Sequence, residues 1–114
     1  MTPKKGNVYL AALPCDGNQQ TGIRPVIVTQ NDKGCIYGPR VHVVPLSTRI
    51  GKAKHLPTHV VIQPSTRNGL RRPSVALTES LVSIQKDNLI KEFGEVEPAD
   101  YDRVAQAIRI HLAI

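Results

Sequence analysis

Short runs in which apolar and polar residues alternate, each closed by turn-forming residues, fill most of the chain. Asn7–Leu13 is the first, ended by Pro14 and the Asp16-Gly17-Asn18 turn. Arg24–Gln30 follows, with Pro25 near its start, where a missing N–H does least harm to a ladder. Arg40–Leu46 is the third, with Val41 and Val43 on one face and Arg40, His42 and Val44 on the other. Thr58–Gln63 and Ser74–Thr78 come next, and Pro73 suits a strand start or an edge. Val82–Gln85 and Glu92–Val96 read as shorter strands flanking a turn at Lys86–Leu89. From Pro98 the spacing changes to three and four. Tyr101, Val104, Ala105, Ile108 and Leu112 then form one apolar stripe of a helix. Pro98 fits its first turn, and Asp100 and Asp102 complement its dipole.

Several strands followed by one amphipathic helix predict a mainly β fold with a C-terminal helix, a strongly bent antiparallel barrel of SH3-like type. Residues 1–114 carry no repeat, low-complexity segment or linker, so a single domain is expected. Valine and isoleucine supply 22 of the 114 residues, which suits such a barrel. The aromatics are only Tyr9, Tyr37, Phe93 and Tyr101, too few for a base-stacking platform that spends several exposed rings. With no apolar stretch of membrane-spanning length and no signal-peptide core, the chain is expected to be cytoplasmic and to have no membrane partner. Cys15 and Cys35 are too few for a disulfide framework and are expected to be reduced thiols, although one disulfide stays open.

Charge changes the picture further. The net charge is +6, unevenly placed. Residues 1–85 carry eleven Lys/Arg against Asp16, Asp32 and Glu79, whereas residues 86–114 carry four against six acids. From Arg40 to Arg72 there are seven Lys/Arg and no acid. This pattern fits a polyanionic partner and equally a solubilising surface.

Candidate chemistry is sparse. Cys15, Cys35, His55 and His59 are the most suggestive metal set. However, neither cysteine belongs to a CxxC knuckle, and Pro57 interrupts the helical spacing of the histidines. The chain also lacks a dinucleotide fingerprint, a phosphate loop and a nucleophile elbow. No cofactor and no metal are expected. What remains is polar material at strand ends: the Gly17–Gly22 loop feeding Arg24, and Ser47-Thr48-Arg49 closing the third strand. A guanidinium with nearby hydroxyls and amides suits a phosphodiester. Equally, Arg24 can be read as an ion pair at a barrel rim and Ser47 as a turn hydroxyl.

The stretch from Gly17-Asn18-Gln19-Gln20-Thr21-Gly22 through Ile23-Arg24-Pro25-Val26-Ile27-Val28 resembles the loop and strand of the MazF/PemK family of toxin endoribonucleases. Further landmarks follow in that family's order. They are Gly6-Asn7-Val8-Tyr9, Gln30-Asn31-Asp32, Pro45-Leu46-Ser47-Thr48, Leu56-Pro57-Thr58-His59-Val60 and Ser74-Val75-Ala76-Leu77-Thr78-Glu79. The resemblance implies a homodimeric barrel that cuts single-stranded RNA sequence-selectively and without a metal. In such toxins a 2′-hydroxyl attacks, leaving a cyclic phosphate and a 5′-hydroxyl. An antitoxin with a largely disordered acidic tail silences them.

Carried over by position, Arg24 matches the catalytic arginine and Ser47 the catalytic hydroxyl, where the family usually has threonine. Asn18, Gln19, Gln20, Thr48, Lys52, Lys54, Leu56, Pro57 and Glu79 are the expected RNA contacts. Gln19 replaces a common glutamate, and Val82 stands where some members have a basic residue. Glu79 is also a candidate to take the 2′ proton, or else a surface acid paired with an arginine. A related toxin type, the gyrase poisons, uses the same barrel to bind protein and cuts nothing. That binding-only function is the alternative reading.

Overall fold

Alternation becomes pairing in the computed structural model, which describes residues 2–14, 22–30, 33, 37–50 and 56–114. Seven strands form there: β1 Asn7–Leu13, β2 Gly22–Val28, β3 Arg40–Ser47, β4 His59–Ile62, β5 Ser74–Leu77, β6 Val82–Gln85 and β7 Leu89–Glu95. The helix α1, Pro98–Leu112, follows. Strand order is β4-β5-β3-β2-β1-β7, with β6 also on β3, and every pairing is antiparallel. The fold is thus mainly antiparallel β with a C-terminal helix, and its sheet is strongly bent.

The bend lies in β3. Arg40–Val43 pair with β6, and Leu46–Ser47 pair with β5. Pro45 falls in the gap between these two ladders, where a residue without an N–H removes no cross-strand bond. Pro25 follows the same logic. It pairs with Leu10 of β1, but the ladder to β3 begins only at Val26. β3 therefore serves both ladders, and a core lies on each face of the sheet. Tyr9, Ala11, Val26, Val28, Val41, Val43 and Ile84 fill one. Val8, Ile27, Val44, Leu46, Val60 and Ile62 fill the other, beneath α1. Val44, on the face of Arg40 and His42, is fully buried because α1 covers that part of the sheet.

The helix begins with Pro98 at its first turn and ends at Ala113 in the left-handed conformation. Its buried positions are Val104 and Ala107, with Tyr101 and Ile108 packed beside them. The expected stripe is rotated accordingly. Ala107 takes the inward place assigned to Ala105, and Leu112 is exposed.

The segment after β4 bridges the two ends of the sheet order. Asn68 is fully buried. Its Oδ1 accepts from the N–H groups of Ser65 at 3.0 Å and Leu70 at 2.9 Å, and its Nδ2 donates to the Gln63 carbonyl at 2.9 Å. This pinned loop lies directly on β7, where the Glu95 N–H donates to the Arg67 carbonyl. Two glycines make the approach possible. A Cβ on Gly69 would sit 2.3 Å from the Phe93 carbonyl oxygen, and one on Gly94 would sit 2.1 Å from that of Arg67. A loop rather than a strand ladder thus closes this side of the barrel. Among the described residues no helix is long and apolar enough to cross a membrane.

Candidate functional site

Register brings together residues that are far apart in sequence. Val26, Ile27 and Val28 of β2 pair with Pro45, Val44 and Val43 of β3. Pairing of the two strands ends at Val26–Pro45, so Arg24, near the start of β2, and Ser47, at the end of β3, each lie two positions beyond the last pair. Both residues stand at the same end of adjacent strands and, by alternation, on the same face. Arg24 is half-buried, opposite Ala11 of β1, and Ser47 is buried, opposite Val75 of β5. The Ser47 Oγ accepts the Arg49 backbone N–H at 3.1 Å. That bond anchors the oxygen and leaves the hydroxyl hydrogen available to a second acceptor.

The other expected contacts divide. Thr48 follows Ser47 directly and is exposed. Leu56 and Pro57 form a second group with Glu79. The Leu56 carbonyl accepts the His59 N–H, the Thr58 carbonyl accepts the Thr78 hydroxyl at 2.6 Å, and His59 Nε2 lies 2.5 Å from the Glu79 carboxylate. Glu79 therefore pairs with a histidine rather than an arginine. Val75 on β5 is the partner of Ser47, and Glu79 lies in the single 3-10 turn Thr78–Ser80 that follows β5. Asn18, Gln19, Gln20, Lys52 and Lys54 lie outside the described residues, as do Cys15, Cys35 and His55.

The acid-free basic stretch is not one surface. Arg40, at the opposite end of β3 from Ser47, donates to the Ser83 Oγ at 2.9 Å and to its carbonyl at 2.7 Å. Arg67 faces Glu95 at 3.3 Å and Glu97 at 3.8 Å. Arg71 and Arg72 instead border a cavity of about 460 Å³ that also takes in Pro25 and Thr48, the chain neighbours of Arg24 and Ser47. Leu70 and Phe93 give this cavity apolar lining, and Lys91 adds a third cation. The sequence reading missed Leu70, Arg71, Arg72, Lys91 and Phe93 as site residues. The Arg71-Arg72 doublet just before β5 was a usable signal. Lys91 and Phe93, set among acids, offered only their alternate spacing on β7.

A family model described as the PemK-like, MazF-like toxin of type II toxin–antitoxin systems matches residues 4–112. The chain belongs to this family. It is 41% identical over 115 aligned positions to the endoribonuclease EndoA of Bacillus subtilis, covering 100% of this chain and 97% of that protein. With the endoribonuclease MazF of Staphylococcus saprophyticus it shares 40% identity, over 97% of this chain and 92% of that one. Among solved structures, an endoribonuclease in complex with its cognate antitoxin, from Mycobacterial species, superposes with a TM-score of 0.74. That match has 25% identity and covers 99% of this chain and 95% of the other.

Proposed function

We propose that this chain is the endoribonuclease toxin of a toxin–antitoxin pair, cutting single-stranded RNA at selected sequences without a metal. Attack by a 2′-hydroxyl on the adjacent phosphorus forms one P–O bond and breaks the bond to the 5′-oxygen. The products are a 2′,3′-cyclic phosphate and a 5′-hydroxyl. The observation that carries this reading is that a chain about 40% identical to named endoribonucleases has Arg24 and Ser47 at the same end of the neighbouring strands β2 and β3.

Their chemistry fits the step. Negative charge grows on the nonbridging oxygens during attack, and a fixed guanidinium stabilises it. Arg24 is assigned this charge stabilisation and not proton abstraction. Ser47, its oxygen held by the Arg49 N–H, donates to a phosphate oxygen or to the leaving oxygen. Thr48 lies beside this pair, and the Leu56–Pro57 turn with Glu79 offers a second contact region for a strand several nucleotides long. Asn18, Gln19, Gln20, Lys52 and Lys54 belong to the same proposal by resemblance. So do a homodimer and an antitoxin whose acidic, disordered tail covers the RNA site, and the neighbouring toxin–antitoxin structure supports such a partner. The close relatives' activity favours cleavage over the binding-only alternative.

The test is to incubate the purified protein with a mixed RNA pool in EDTA and examine the fragment ends. Discrete fragments with 5′-hydroxyl ends are expected, and folded Arg24→Ala should cut on the order of a hundredfold more slowly or worse. Cleavage abolished by chelation and restored by magnesium would overturn the mechanism. Near-normal cutting by Arg24→Ala would mean that the reaction takes place elsewhere.

A further inference from the structure

Some cations outside the Arg24–Ser47 group have a visible structural task. Arg40 holds β6 through Ser83, Arg67 meets Glu95 and Glu97, and Arg103 binds Asp100 and the Val61 carbonyl. The side chains of Arg71, Arg72 and Lys91 make no hydrogen bond or ion pair with a described residue, and what sets them apart from other such cations is that all three are exposed around one cavity. Among the described residues Glu92 is the only acid in that lining. Cations held together without partners are costly through mutual repulsion, and a bound polyanion removes that cost.

The cavity is also a firm one. Its wall at Leu70 is fixed by the buried Asn68, and the Gly69 and Gly94 contacts press it onto β7. Its floor is apolar, from the buried Leu70 and the half-buried Phe93 and Pro25. A concave apolar floor of a few hundred Å³ ringed by cations suits a nucleobase with its phosphates, not a phosphate alone.

We propose that this cavity is a subsite for a nucleotide flanking the scissile phosphate. The base lies against Leu70 and Phe93, and Arg71, Arg72 and Lys91 meet the adjoining phosphates. This rests on the RNA-cleaving reading and extends it. Pro25 and Thr48 connect the two places. They adjoin Arg24 and Ser47 in sequence; Pro25, next to Arg24 on β2, faces the other side of the sheet by alternation, and Thr48 follows the end of β3. An RNA strand reaching both must therefore turn around the sheet rim at this point. The subsite supplies affinity for the neighbouring nucleotide and takes no part in bond breaking.

The probe is a uniformly 2′-O-methylated RNA decamer, which lacks the attacking hydroxyl and so is bound but not cut. Its affinity would be measured by fluorescence anisotropy across a salt series. Arg71→Ala, Arg72→Ala and Lys91→Ala should each weaken binding severalfold, and each should flatten the log–log salt dependence by about 0.7, the single-strand value for one phosphate contact. Phe93→Leu should weaken binding with no change of slope, since it alters only the face offered to the base. In parallel, cleavage of an all-ribose RNA by the charge variants should show a raised KM with kcat retained. Variants that bind and cut like the unaltered chain would overturn the subsite while leaving the endoribonuclease reading intact. Unchanged RNA affinity with weakened inhibition by the antitoxin would assign the cavity to a protein partner and also overturn it. Absence of any RNA binding by the unaltered chain would overturn both readings.

Discussion

Asn68→Ala should be among the most damaging single substitutions on this surface, although it removes no apolar contact of the core. The side chain is wholly buried and makes three hydrogen bonds, accepting from Ser65 and Leu70 and donating to Gln63. Gln63 is exposed and Ser65 half-buried, so water can replace two of these bonds at a net loss of about 0.5–1.5 kcal/mol each. The Leu70 N–H sits in a buried position, and leaving it unpaired costs about 1–3 kcal/mol. The total is about 2–6 kcal/mol, or roughly 8–24 °C in Tm for a domain of this size. Urea unfolding with an unchanged m-value measures the loss. Amide exchange at Gly69 and Leu70 should accelerate well beyond the change seen in β1 and β2. A stability loss below about 0.5 kcal/mol, with protection at Leu70 retained, would refute the view that this residue pins the loop to β7.

Gly69→Ala and Gly94→Ala should each destabilise the fold, because their new Cβ atoms would lie 2.3 Å and 2.1 Å from backbone oxygens that a side-chain rotation cannot move. Thermal unfolding of the two variants checks this, with Gly22→Ala as a comparison, since a Cβ there meets nothing within 4 Å. In the reaction, Ser47→Thr should be tolerated and Ser47→Ala should slow cutting. Arg24→Lys should recover little over Arg24→Ala, because an ammonium keeps the charge but loses the bidentate fork. Single-turnover rates on one short RNA at fixed salt read all of these.

Where alternation is uninterrupted, the sequence predicts strand limits well: β1 and β6 have the expected bounds. β7 begins at Leu89 and not Glu92, because register shifts against β1 between Val8 and Tyr9 and between Leu10 and Ala11 break the two-residue pattern. β2 begins at Gly22, since Gly22 and Ile23 pair with Leu13 and Ala12 although neither is buried. Backbone pairing extended the strand there without a hydrophobic signal. In α1, Ala105 and Ala107 are chemically identical candidates. Only the position of the underlying sheet decides that Ala107 faces inward.

The candidate site divides along the same line. Arg24 and Ser47 were each legible as polar residues at strand ends, but their juxtaposition depends on the β2–β3 register, which no local spacing encodes. The cavity required still more. Arg71 and Arg72 follow a loop that leaves β4, while Lys91 and Phe93 belong to β7, at the far end of the sheet order. They meet only because Asn68, Gly69 and Gly94 let that loop close the barrel where no strand does. The contact that completes the fold therefore also gathers these cations, so folding and the proposed polyanion binding share one element. Thermodynamic linkage then requires that an RNA bound there stabilise the native chain. That stabilisation should shrink in Arg71→Ala and Lys91→Ala, even though loss of a repulsive cation leaves the unliganded protein no less stable.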